Sequence, residues 1–167
     1  MKIDAKFGLL AALVCCCSLL AAFASTAAAI APVQIEFKEP EKGGTFAFID
    51  QAPKTTFGKH GEPKLISAGD ELVITTPVLE NGKKIGHLQA TCTATKTSND
   101  FLAASFECFG TYVLKGGTLV ASTTLGNGKT NEGAILGGTG TYADARGTFV
   151  TTEHGAFSTT VVTLGGE

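Results

Sequence analysis

Residues 134–147, Ala-Ile-Leu-Gly-Gly-Thr-Gly-Thr-Tyr-Ala-Asp-Ala-Arg-Gly, constrain the fold of this chain more than any other run. Gly137, Gly138 and Gly140 around Thr139 demand a sharp backbone turn that residues with side chains resist. Strand-forming residues flank the run on both sides, so it reads as a corner between two β-strands that ends on a lone arginine, Arg146. It does not read as a phosphate loop, because no helix pattern follows and no lysine stands where such a loop needs one.

The N-terminus reads differently from the rest. Lys2 and Lys6 form a basic start, residues 9–24 are almost wholly apolar, and Ala27-Ala28-Ala29 supplies small residues for cleavage. That order predicts a secretory signal peptide over residues 1–29, cut after Ala29, with Ala24 the second choice. A retained anchor is the alternative, but the apolar run is shorter than the ~20 residues of a spanning helix. Cys15, Cys16 and Cys17 leave with the leader, since Val14 is not the small residue a lipoprotein signal wants before its cysteine. Removal of Lys2, Lys6 and Asp4 leaves 11 basic and 14 acidic residues, a net charge near −3. The expected product is a secreted or periplasmic soluble domain, residues 30–167, with no nucleic-acid partner and no membrane association after cleavage.

The mature chain is rich in Thr, Gly, Val and Phe and lacks long helix-forming runs, which is an all-β composition. Strand patterns appear at 33–38, 45–50, 71–79, 84–96, 101–114, 118–125, 131–136, 145–153 and 156–164. Asn81-Gly82 is the strongest short hairpin signal among the turns, and Pro77 marks an edge or a bulge. Residues 51–69, with Pro53, Gly58, Gly61, Pro63 and Gly69, read as a long surface loop, either a lid or rim or plain surface packing. About eight strands joined by short turns predict an antiparallel up-and-down β-barrel, with a two-sheet sandwich as the runner-up.

Cys92 and Cys108 alone remain after the leader, and in an exported protein they are a disulfide candidate. If they face each other across one hairpin, paired residue numbers sum to 200 and the turn centres on Asn99-Asp100, which is independently good turn chemistry. That register pairs Leu88 with Tyr112, Ala90 with Gly110 and Ala94 with Phe106 on an apolar face. Gln89 and Thr111, Thr91 and Phe109, Thr93 and Glu107, and Thr95 and Ser105 then share the other, mostly polar face. The apolar face is assigned to the barrel interior, which makes Leu88, Ala90, Phe106 and Tyr112 the expected lining of a ligand cavity.

Several blocks in order resemble the allene oxide cyclase-like barrel superfamily, which includes the dirigent proteins. They are residues 69–79, 84–92, 109–119 and, most specific, 135–147, which is similar to the pattern I-x-G-G-T-G-x-Y-x-x-A-R-G. The resemblance covers 69–164 well and 30–61 loosely. It implies an eight-stranded calycin-type barrel around an apolar cavity, often oligomeric, that guides cyclisation or coupling of a hydrophobic small molecule without metal or organic cofactor. Cys92 matches a cavity cysteine of the cyclases, Arg146 matches the dirigent arginine, and an N-terminal cyclase glutamate matches Glu36 or Glu39. Thr76 stands where cyclases carry an asparagine and dirigent proteins an acid, and Thr141 where some dirigent proteins carry a second acid.

The catalytic candidates are therefore Arg146, Tyr142 and Glu36. Arg146 would hold a carboxylate or oxyanion, or else tie down the glycine corner. Tyr142, like Tyr112, would donate within the cavity or simply pack. Glu36, with Glu39 and Asp50 nearby, would act as a general acid or base if desolvated, or be a solvated strand edge. His60, His87 and His154 lack metal-ligand spacing, so no metal is expected. Two functions remain, a secreted cyclase or isomerase that works by orientation in an apolar cavity, and a non-catalytic barrel binding an apolar ligand or a protein, with a homo-oligomer compatible with either. An open cavity with an inward acid, Arg146 or Tyr142 favours the first, and a barrel filled by Leu88, Phe106 and Phe109 excludes it.

Overall fold

A computed structural model describes residues 32–51, 54–59, 61–101, 103–126 and 128–165. Residues 1–29, where the sequence predicts a signal peptide, with the Cys15 to Cys17 run, and His60 lie outside the described residues. Nine strands follow in order: β1 (Val33–Pro40), β2 (Thr45–Ile49), β3 (Glu71–Glu80), β4 (Lys83–Ala94), β5 (Phe106–Leu114), β6 (Gly117–Leu125), β7 (Thr130–Gly138), β8 (Gly147–Glu153) and β9 (Phe157–Leu164). From β3 to β9 each strand pairs antiparallel with the next. β1 pairs with β9 along its whole length and meets β3 at Lys38 and Leu79, which closes an eight-stranded barrel. β2 is the extra strand. It lies along the first half of β3, from Glu71 to Thr75, while β1 takes β3 near its end. β1 and β2 thus share one edge of β3, separated by the turn at residues 41–44.

Local chemistry accounts for the joints. Asn81 (φ +49°) and Gly82 (φ +75°) form the two-residue turn between β3 and β4, with both central residues in the left-handed region as that hairpin type requires. Pro77 lies inside β3, opposite the gap between β2 and β1, and the ladder to β4 slips immediately beyond it, between Val78 and Leu79. At the glycine corner, Gly140 has φ +60°, and a Cβ there would sit 2.0 Å from the Gly116 carbonyl oxygen. Gly138 is equally closed, with the Tyr142 and Thr118 carbonyl oxygens 2.3 and 2.4 Å from where a Cβ would be. The corner therefore packs backbone to backbone onto the β5–β6 turn, and Thr141 N donates to Gly116 O at 2.9 Å.

The β4–β5 register is the one read from the cysteines. Leu88, Ala90, Cys92 and Ala94 face Tyr112, Gly110, Cys108 and Phe106. The disulfide forms between Cys92 and Cys108, whose Cα atoms are 4.0 Å apart. It closes a loop with a sequence separation of 16, so Cys108→Ser should cost about 3 kcal/mol, read as a lower denaturation midpoint that reductant lowers equally in the parent protein.

Two expectations are corrected. β5 begins at Phe106, not at residue 101, because the segment before it is spent in turns. Ala103 N and Ala104 N donate back to the Asp100 and Phe101 carbonyls, and Ser98 Oγ donates to Asp100 O. The long segment before β3 is not all surface. Ile66 is completely buried, and its backbone bridges to Ser98 through both hydrogen bonds, at 2.7 and 2.8 Å. Asp70, also completely buried, fixes this plug. Its carboxylate accepts from Gln51 N and from Ser67 N, each at 2.7 Å.

The interior divides into two apolar clusters. One, with Ile66, Leu72, Ala94, Ala104, Phe106 and the disulfide, closes the β3–β5 side at the end where β4 runs into β5. The other, with Phe37, Val78, Leu119, Ile135, Ala145 and Val162, fills the opposite end.

Candidate functional site

Between these clusters the inward side chains shrink. Ala90, Gly110 and Ala121 are register partners on three consecutive strands, so one level of the barrel carries almost no side-chain volume. A cavity of about 510 Å³ occupies that level. Its wall includes Ile74, Leu88, Ala90, Gly110, Tyr112, Ala121, Phe149 and the disulfide. Its mouth lies among Glu41, Thr45 and Phe46 on one side and Asn131, Glu153 and Phe157 on the other. The mouth follows from topology, because β1 leaves β9 after Pro40, and β2 continues along β3 alone.

Strand alternation sets one acid into the wall. On β1, Ile35, Phe37 and Glu39 share the inward face, while Gln34, Glu36 and Lys38 are exposed. Glu39 is 7% exposed, and its Oε2 accepts from Ser158 Oγ at 3.1 Å. Its Oε1 is buried and has no hydrogen-bond partner. Burial raises the Glu39 pKa above the usual carboxylate value, the hydroxyls of Tyr112, Ser158 and Thr160 pull it partly back, and the charge of Glu153 raises it further. The Tyr112 hydroxyl is pushed well above its ordinary value, first by burial and then by the Glu39 charge. Thr160, fully buried, exchanges a 2.7 Å hydrogen bond with Thr151 and completes this polar patch. At the rim, partial burial and then the charge of Glu41 raise Glu153, against a smaller lowering by His154.

A carboxyl held in this way keeps its proton to higher pH than one in water and can return it to a bound molecule. Phe37 and Phe149 supply apolar bulk on the same side, Phe37 lying 5.5 Å from Tyr112 between ring centroids. Among the described residues no cluster of His, Cys, Asp and Glu is arranged to hold a metal ion.

The expected site residues divide. Leu88, Ala90 and Tyr112 line the cavity, and Cys92 and Cys108 form part of its wall. Phe106 does not; it is buried in the cluster on the β3–β5 side against Phe101, at 5.9 Å between centroids. Phe109 points outward and is exposed, so the barrel is not filled. Glu36 lies on the outer face of β1, where alternation sends it away from Glu39. Arg146 and Tyr142 are not in the cavity wall. The corner joins β7 to β8 at the end where β8 begins, whereas the mouth lies where β8 ends, at Glu153. Arg146 is exposed there, and its Nη1 donates to its neighbour's carbonyl, Ala145 O, at 2.8 Å. Tyr142 packs on the adjacent apolar cluster. The signal that picks out Glu39 in the sequence is parity, since it shares odd numbering with Ile35 and Phe37.

No family model and no curated protein matches the chain. Solved structures do. Pyocyanin demethylase superposes with a TM-score of 0.62 at 19% identity, covering 79% of this chain and 99% of its own. The pterocarpan synthase dirigent protein PsPTS1 gives 0.62 at 14% identity, with 83% and 97% covered. The fold is the dirigent-like barrel. The Diels Alderase AbmU from Streptomyces koyangensis has the same barrel, with a TM-score of 0.57 at 14% identity, over 100% of this chain and 83% of its own. The dirigent-like barrel here thus carries its own polar patch, built on Glu39 where β1 closes against β9.

Proposed function

We propose that this dirigent-like barrel binds a largely apolar small molecule in the central cavity and guides its cyclisation or isomerisation. In this reading Glu39 gives a proton to, or takes one from, the bound molecule. The observation that carries it is the unpartnered, buried Oε1 of Glu39 in the wall of a mostly apolar cavity. A buried acceptor without a partner costs about 1–3 kcal/mol, and a ligand group that meets it recovers that cost. A volume of about 510 Å³ falls within the range of about 300–1,000 Å³ that suits a drug-sized molecule. The apolar wall orients the molecule and excludes water, and the Tyr112 hydroxyl beside Glu39 steadies charge that develops during the transfer. The solved neighbours named for a demethylase, a pterocarpan synthase and a Diels Alderase support small-molecule chemistry in such a barrel. The disulfide is in keeping with an oxidising compartment and so with export.

Filling the cavity tests the binding step. Ala90 is half-buried and its side chain faces the empty level, so Ala90→Phe occupies the cavity without displacing packed core. N-phenyl-1-naphthylamine, a neutral apolar fluorophore, should bind the parent protein and lose at least about tenfold in affinity in the folded variant. Equal affinity in both proteins, or no binding to the parent, would overturn the reading. Native mass spectrometry of the purified protein then identifies any molecule that the parent retains and Ala90→Phe lacks.

A further inference from the structure

Glu39, Glu41 and Glu153 all line the cavity, and among the described residues no lysine, arginine or histidine does. The acids form a gradient of depth. Glu41 and Glu153 are exposed at the mouth and close enough for the charge of one to be felt by the other. Glu39 lies inside, nine-tenths buried, with Oε1 unpartnered. The nearest basic groups stay outside the wall. Lys38 is exposed on the outer face of β1, its Nζ 5.2 Å from the centre of the Phe157 ring, and His154 stacks on that ring at 4.9 Å. Lys42 and Lys129 are exposed in turns beside the mouth.

We infer that the ligand of this cavity is an amine: an apolar, ring-bearing molecule with one protonated nitrogen, whose N–H donates to Glu39 Oε1. This rests on the reading that the cavity binds a small molecule and names the chemistry of that molecule. An unpartnered carboxylate oxygen needs a donor, and a cationic donor makes the stronger, charge-assisted hydrogen bond. A carboxylate ligand meets the like charges of Glu41 and Glu153 at the mouth and, among the described lining residues, no lysine, arginine or histidine to compensate, so it is disfavoured against the amine. The aromatic faces of Phe46 and Phe149, both in the cavity wall, attract the same cation. Glu41 and Glu153 draw it toward the mouth, an effect that salt screens.

Three probes of one shape separate the alternatives: 1-naphthylmethylamine, 1-naphthalenemethanol and 1-naphthoic acid, titrated by calorimetry at neutral pH. The amine should bind at least about tenfold more tightly than the alcohol, and the acid should not bind measurably. Glu39→Gln should bring the amine-to-alcohol ratio close to one. Glu41→Gln combined with Glu153→Gln should lower the ratio less and abolish its dependence on salt. An alcohol that binds as tightly as the amine, or an acid that binds at all comparably, overturns the amine assignment and leaves small-molecule binding standing. Absence of binding by all three overturns both.

Discussion

Asp70→Ala is expected to lower the stability of the barrel by about 2–5 kcal/mol. The estimate follows from the buried Ser67 N–H, which loses a 2.7 Å acceptor at about 1–3 kcal/mol, and the part-buried Gln51 N–H, which loses its own 2.7 Å acceptor at a smaller cost. The loss also frees the segment that carries Ile66, whose side chain caps the interior at the Phe106 end. Asp70→Asn keeps one acceptor oxygen and should cost clearly less. Equilibrium urea denaturation followed by circular dichroism measures both. A midpoint for Asp70→Ala equal to that of the parent would show that the plug is held by apolar packing alone.

Glu39→Gln is expected to act in the opposite direction, and with a pH dependence of definite sign. The folded pKa of Glu39 is raised above its ordinary value of 4.5. Below that ordinary value the carboxyl is protonated in both folded and unfolded chains, and its contribution to stability is fully present. As pH rises through the higher folded value the fold must ionise a buried group, and that contribution is lost. Glutamine has no proton to lose. The variant should therefore match the parent near pH 4 and exceed it by about 1–3 kcal/mol at pH 8, the scale of one buried acceptor without a partner. Thermal melts across that range test this, and a difference between the two proteins that does not change with pH would rule out Glu39 as the group that titrates. Gained stability with lost amine preference is the pattern of a residue kept for binding rather than for folding.

These two carboxylates show how differently acids can be read in a sequence. Asp70 stands before a strand and gives no sign that it is buried; only the return of residues 51 and 67 to it makes it a lock. Glu39 has a sign, its parity with Ile35 and Phe37, but a glutamate in an apolar row reads equally as the frayed end of a strand. Its partners are remote, Ser158 being 119 positions away, and no local pattern announces them. The β4–β5 register was legible from Gly86 to Ala94, although the strand bounds toward the turn were not. Two cysteines and one turn fix a register, and alternation then fixes which side chains share a face.

The glycine corner marks the boundary between the two kinds of information. Its sequence alone determined a tight joint between strands, because close backbone approach and positive φ admit glycine and little else. The same is true of the Asn81-Gly82 hairpin and the cysteine pair, governed by contacts near in sequence or by strict two-residue alternation, whereas the ninth strand, β2, lies outside the eight-stranded barrel that the sequence predicts. Which end of the barrel Arg146 occupies, and which acid faces the cavity, were decided only by closure. The corner caps the end where β8 starts, and the cavity opens where β8 stops, so Arg146 and the mouth lie at opposite ends. Closure of β1 between β9 and β3 turned Glu39 inward beside Tyr112 and gave the cavity its buried acid.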